Sequence, residues 1–160
     1  MDRLKETEDL PPVVSIRSEE EGFYNIVPDN TNIMYQVTNH MIEACGSTDI
    51  GFIMGKDDLK DSYERLEGFV KAMNEKGAEV GEDRIFHGNY WINQGPETAD
   101  FFTREDGSLP KGIVSSNDYM ALGLCDELER RGYSIPNDLM ITGVNNLPMV
   151  RMRTPSLTTY

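Results

Sequence analysis

The stretch from residue 115 to residue 146, "SSNDYMALGLCDELERRGYSIPNDLMITGVNN", decides the fold. It opens at the polar end of a short apolar run, "GIVS". A helix pattern follows at once: Met120, Ala121, Leu124, Cys125 and Leu128 fall on one stripe at three-to-four spacing. The spacing predicts a helix over 118–131, closed by Gly132 in the left-handed position that ends many helices. A second apolar run, "LMITGV", then ends at Asn145-Asn146. Strand, helix and strand succeed one another within about thirty residues, the length of a βαβ unit. At the first junction, Asn117-Asp118 can cap the helix or face a ligand. The local sequence leaves both uses open.

Upstream, the same helix–Gly–strand–Gly unit occurs twice more. A predicted helix over 30–45 carries Ile33, Met34, Val37, Met41 and Ala44 on one stripe, then Gly46 and "DIGFIMG". Another over 62–76 carries Tyr63, Leu66, Phe69, Val70 and Met73, then Gly77 and "RIFHG". A weaker helix is expected over 94–103. The strands "IGFIM", "GIVS" and "LMITGV" are apolar without alternation, as strands covered on both faces are. The expected fold is therefore α/β, a parallel sheet flanked by helices on both faces. Glycine after each strand allows a sharp turn or a close approach to a ligand. The ends differ. "PPVVSI" and "YNIV" read as two strands separated by the acidic "RSEEEG", and "TPSLTTY" starts a further extended segment. Both ends read as cut from something larger, and "PPVVSI" is expected to be mobile or paired with another chain's edge.

The chain has 160 residues, 38% of them hydrophobic and 27% charged, a composition of a soluble globular domain. No apolar run reaches the roughly 20 residues of a membrane span. The charged "MDRLKETEDLPP" lacks the apolar core of a signal peptide, and a cytoplasmic setting follows. The two cysteines, Cys45 and Cys125, lie far apart in helical contexts and read as buried thiols. The formal net charge is −13, and the basic residues are scattered, so direct binding of this chain to nucleic acid is not expected.

In open parallel sheets, ligands bind beyond the carboxyl ends of the strands. That rule gathers the loops 55–65, 88–93, 115–119 and 143–148. Their polar residues include Lys56, Asp57, Asp61, Arg65, Asn89, Asn93, Asn117, Asp118, Asn145 and Asn146, with Tyr90 and Trp91 as aromatic surface. Amides and carboxylates pair with hydroxyl groups, and a flat ring covers the apolar face of a sugar or base. Each residue also has a structural reading: Asn117 or Asp118 as cap, Arg65 as a surface ion-pair partner, Tyr90 or Trp91 as packing, Asn145-Asn146 as a turn. Their convergence on one sheet edge favours a site. No dinucleotide loop, phosphate-binding P-loop or nucleophile elbow is present, so neither catalytic residues nor a cofactor are assigned. His40, His87 and Asp57-Asp58 do not complete a metal constellation, and none is assigned.

Five motifs, in order, carry a family likeness: "PPVVSI"; "VPDNTNIMYQVTNHMIEACGSTDIGFIMG"; "RLEGFVKAMNEKG"; "IVSSNDYMALGLCDELERRGYSIPNDLMITGVNN"; and "PSLTT". Together they resemble the effector-binding core of the LacI/GalR-type (lac-repressor-like) transcriptional regulators, a type I periplasmic-binding-protein fold. The resemblance implies a C-terminal lobe over 23–154. It implies a remnant of the N-terminal lobe and crossover over 1–22, and the start of the return crossover over 155–160. It assigns effector contacts to Arg65 of R-x-x-G-F, to Tyr90 or its neighbour Trp91, and to the pair Asn117 and Asp118. Asn145 falls where many members carry an Asp that grips sugar hydroxyls; an amide cannot supply a carboxylate's charge-assisted bonds. Asp61 is an additional contact by position.

The implied function is sensing a small-molecule effector, carbohydrate or nucleoside-like, between two lobes. DNA would be reached only through a helix-turn-helix not present in this chain. Half a cleft forfeits contacts, so this chain alone is expected to bind effector weakly. The resemblance also implies a homodimer of the full-length protein, with residues 90–101 and the 118–131 helix as candidate contacts. Two alternatives remain: the same lobe in a kinase or cyclase signalling chain, and a small α/β enzyme.

Overall fold

The computed structural model describes residues 11–17 and 19–160. Among the described residues, seven strands and four α-helices follow one another. They are β1 (Val14–Ile16), β2 (Tyr24–Ile26), α1 (Asn30–Cys45), β3 (Ile50–Met54), α2 (Lys60–Glu75), β4 (Ile85–His87), α3 (Gly95–Phe102), β5 (Gly112–Ser115), α4 (Asp118–Arg130), β6 (Met140–Gly143) and β7 (Thr158–Thr159). Short 3-10 turns at Glu82–Arg84, Ile92–Gln94 and Pro148–Arg151 complete the loops. The main sheet has five strands in the order β4-β3-β5-β6-β7, every pair parallel.

The unbroken apolar strands feed two cores. In β3, Ile50, Phe52 and Met54 join Met34, Phe69 and Met73 under α1 and α2. Ile53 points the other way and joins Ile113, Ile141, Leu124 and Leu128 under α3 and α4. Successive side chains of a strand take opposite faces, so a strand covered on both sides must be apolar throughout. Phe52 and Phe69 stack at 4.8 Å between centroids and lock α2 to β3.

The helix ends follow the glycine pattern in the sequence. Gly46, Gly77 and Gly132 take positive φ of 59°, 74° and 93° after their helices. Gly68 has a different purpose. A Cβ there would lie 2.2 Å from the carbonyl oxygen of Thr31, so α2 can approach α1 only without one.

The amino-terminal strands form a separate two-stranded ribbon. β1 pairs in parallel with β2, with Val14 opposite Tyr24 and Ile16 opposite Ile26. Asn25 ties the connection together, donating to the carbonyls of Glu20 and Phe23 and accepting from the Glu20 N–H. The strand expected in "PPVVSI" is β1, and the partner it has in the structure is Tyr24–Ile26 of the same chain. The anticipated strand at "TPSLTTY" is β7, only two residues long. Of the expected buried thiols, Cys125 is buried, while Cys45 is half-buried beside the sulfurs of Met41 and Met140; both are free.

Candidate functional site

A cavity of about 380 Å³ opens at the carboxyl edge of the sheet. Six of the seven anticipated site residues fall at one place there: Asp61, Arg65, Tyr90, Trp91, Asn117 and Asn145 all line it. They come from four different loops, brought together because parallel strands deliver all their carboxyl ends to one edge. Lys56 and Asn89, noted among the polar loop residues, line it too. Arg17, Leu59 and Tyr119 were not anticipated. The first lies beyond β1, whose position no local pattern reveals. Tyr119 could have been found as the next residue after the Asn-Asp pair, one step into the helix that opens on the cleft.

The lining divides into side chains that are held and side chains that are free. Arg65 is held: only 4% exposed, it donates from Nε to Asn30 Oδ1 at 2.9 Å and from a terminal nitrogen to the Ser116 carbonyl. Asn30 in turn donates to Glu64. This chain of contacts joins the start of α1, the body of α2 and the end of β5. The glycine at Gly68, three residues after Arg65, permits the helix approach that makes it possible. R-x-x-G-F is therefore one device: the arginine reaches across, the glycine brings the helices near, and Phe69 anchors them. Burial lowers the Arg65 pKa from its ordinary value, and the nearby Tyr90 and Asp61 oppose that shift.

Tyr90 is also held. Its backbone has φ of 68°. Its hydroxyl meets the Ser62 hydroxyl at 2.9 Å, its ring lies where a Cβ of Gly55 would be, and the Arg65 guanidinium sits 6.0 Å from the ring centre. The glycine after β3 thus makes room for an aromatic wall rather than for a ligand. Gly143 does the same for Asp118, whose Oδ1 would lie 2.3 Å from an added Cβ.

Asn117 takes both uses left open for the pair, cap and cavity wall, and Asp118 takes neither. Asn117 is the helix cap: its Oδ1 accepts from the Met120 N–H at 3.0 Å, while its Nδ2 donates to the Tyr90 carbonyl at 2.9 Å. It caps α4, lines the cavity and fixes Tyr90 at once. Asp118 is fully buried and does not line the cavity. Its carboxylate accepts from the Leu147 N–H at 2.8 Å and the Thr159 hydroxyl at 2.6 Å. It fastens β7 and the 143–148 loop beneath the cleft, and burial raises its pKa against the pull of those two donors.

The free side chains are Trp91, Asn145 and Lys56, which make no side-chain hydrogen bond or ion pair among the described residues. Trp91 is 61% exposed and inclines towards Tyr119, with 6.1 Å between ring centres. Asn145 stands at φ of 110°, a conformation Asn tolerates better than most residues. Its backbone N–H donates to the Tyr160 carbonyl, and its side-chain amide makes no hydrogen bond among the described residues. Asp61 is partly engaged, with Arg17 at 3.7 Å. His87, at the end of β4, donates from Nδ1 to the Asp57 carboxylate at 2.7 Å and lies outside the cavity lining. Among the described residues, no group of His, Cys, Asp and Glu stands at metal-binding distance, and no helix is long and apolar enough to cross a membrane.

Residues 38–160 match the model of the periplasmic binding protein-like domain. The chain is 32% identical over 160 residues to the HTH-type transcriptional repressor PurR of Pasteurella multocida, covering 99% of this chain and 47% of that repressor. It is 38% identical over 125 residues to the PurR of Actinobacillus pleuropneumoniae serotype 3, covering 78% of this chain and 37% of that protein. The chain thus spans less than half the length of these relatives. Among solved structures, the transcription regulator CcpA of Lactococcus lactis superposes with a TM-score of 0.79 at 29% identity, over 92% of this chain and 54% of that one. A regulatory protein of the LacI family from Chloroflexus aggregans gives 0.82 at 26% identity, over 92% and 53%.

Proposed function

Because the chain belongs to the periplasmic-binding-protein-like family, as the effector-binding domain of LacI/GalR-type regulators, we propose that its sheet edge is one wall of a small-molecule sensing cleft. The observation that carries this reading is the convergence of Arg65, Tyr90, Asn117 and Asn145 on one cavity from four separate loops. The held residues set the shape of the wall, and the free ones, Trp91, Asn145 and Lys56, together with the remaining N–H groups of Arg65, meet the effector. Trp91 covers a flat sugar or base face, and Asn145 pairs with its polar edge. Asp118 acts one layer below, keeping the Asn145 loop in place.

The lobe runs over 23–154, with 1–22 contributed by a second lobe and crossover and 155–160 by the return crossover; residues 1–10 and 18 lie outside the described residues. The description of its relatives as HTH-type repressors supports a parent protein that couples effector binding to DNA binding by a separate domain, and that parent is proposed to be a cytoplasmic homodimer. The exposed Ile92 and Phe101 belong to the candidate dimer face.

The test uses the only tryptophan of the chain, Trp91. Titration with sugars and nucleosides should change its emission, with weak affinity for this chain alone. Asn145→Ala should weaken that response. A ligand that binds while leaving Trp91 emission and the amide signals of Asn117 and Asn145 unmoved would show that the cleft lies elsewhere.

A further inference from the structure

We infer that the effector of this cleft carries an anionic group, a phosphate or carboxylate, gripped by Lys56 and Arg65; this rests on the cleft reading above. The argument starts from a charge contrast. The chain holds 28 acidic residues against 15 basic ones, yet the cavity lining holds three cations, Arg17, Lys56 and Arg65, against one carboxylate, Asp61. Three other acids near this edge are engaged elsewhere. Asp57 faces His87, Glu64 takes Asn30 and Lys60, and Asp118 is buried beneath with Leu147 and Thr159. Asp61 is already shared with Arg17. Lys56 has no ion-pair partner among the described residues, although carboxylates are abundant everywhere else on the surface.

Arg65 makes the surplus costly without a ligand. It is 96% removed from solvent by its 4% exposure. Two of its five N–H groups are engaged, by Asn30 and the Ser116 carbonyl, both neutral acceptors. Its other three N–H groups make no bond to a carboxylate among the described residues, and the residue lines the cavity. A guanidinium in that state favours an anionic oxygen pair, which takes two parallel N–H bonds at once. A neutral polyol satisfies the donors but leaves the positive surplus uncompensated.

The experiment titrates the full 160-residue chain with matched pairs: glucose against glucose 6-phosphate and glucuronate, and adenosine against adenosine monophosphate, with inorganic phosphate alone. Trp91 emission and the side-chain amide signals of Asn117 and Asn145 report occupancy. The charged member of a pair should bind at least about tenfold more tightly than its neutral parent, and added salt should erode the advantage. Lys56→Met, at an exposed position, should lower the charged member's affinity several-fold more than the neutral parent's and so shrink the advantage. The phosphate and carboxylate arms tell the two anion types apart, and a preference for either supports the inference. Neutral parents that bind as well as their charged partners would overturn the anion and leave the sensing cleft standing. Silence of Trp91 and both asparagines towards every probe would remove the cleft and the anion together.

Discussion

Two strands of this molecule are spelled almost alike and live in opposite surroundings. β5 reads "GIVS" and is buried at every position; β1 reads "VSI" and exposes Val14 at 48% and Ile16 at 70%. β5 has a parallel neighbour on each side, α1 and α2 over one face, and α3 and α4 over the other. β1 has one short partner, β2, whose Tyr24 and Ile26 are exposed at 74% and 60%. An apolar strand sequence therefore states a demand for cover without supplying it. In the sheet the chain meets that demand itself. In the ribbon the described residues leave it unmet, with only Ser15 of the six strand positions buried.

The comparison breaks most visibly if the two regions respond alike to truncation. Phe52→Ala deletes a fully buried ring stacked on Phe69 and should destabilise the chain by about 3–5 kcal/mol in urea denaturation. Ile16→Thr in the ribbon should cost less than about 0.5 kcal/mol in the same assay, as surface changes do. A comparable loss at Ile16 would mean that the ribbon is covered in solution.

A subtler test adds one carbon rather than removing many. Helix propensity alone makes Gly68→Ala favourable by about 1 kcal/mol. The Thr31 carbonyl 2.2 Å from the new Cβ opposes it, and that atom is backbone in a helix, which cannot swing aside. Overpacking of this kind costs about 1–3 kcal/mol, so net destabilisation is expected. The same separation of α1 from α2 should free Arg65 from Asn30, which would show as a change in Trp91 emission across the cleft.

Asn117 tests how far the cleft depends on its cap. Asn117→Ala removes both the cap and the bond to Tyr90 and should cost about 1–2 kcal/mol. Asn117→Ser keeps a cap oxygen and should recover about half of that loss. Neither restores the grip on the Tyr90 carbonyl, so both should weaken ligand binding equally. Full recovery of binding in the Ser variant would make Asn117 a cap and nothing more.

The elements were legible because periodicity and glycine act locally. The helix expected over 62–76 forms at Lys60–Glu75, that over 94–103 at Gly95–Phe102, and those at 30 and 118 begin where expected. The sheet edge was legible because parallel strands can gather loops only one way. The division of labour at 117 and 118 was not. Asn and Asp cap equally well, and the choice was made by Leu147 and Thr159, distant in sequence, which claim the carboxylate. Asn30 escaped notice for the same reason: nothing around it signals an arginine 35 residues away. The ribbon escaped because pairing of β1 with β2 is set by Asn25 and the turn it organises, and three-residue strands carry too little pattern to announce a partner.

The smallest effect expected concerns the rim's outer corner, where β4 ends. His87 contacts Asp57 at 2.7 Å and Glu82 at 3.5 Å. The hydrogen bond to Asp57 is the main cause that raises its pKa above the ordinary value of 6.5, with partial burial opposing and Glu82 adding to it. The folded state thus holds the proton more tightly than the unfolded chain. The contribution is complete below the unfolded value and disappears as pH rises through the higher folded value. Stability should therefore fall slightly as pH is raised from about 6 to about 8, and Asp57→Asn should flatten that slope. Both groups are largely exposed, so screening keeps the effect small and added salt should shrink it further. Strands β1 and β2 carry no such pair among the described residues, so Ile16→Thr should leave the slope untouched. A slope that survives Asp57→Asn would place the titrating group elsewhere and remove His87 as the clasp between the ends of β3 and β4.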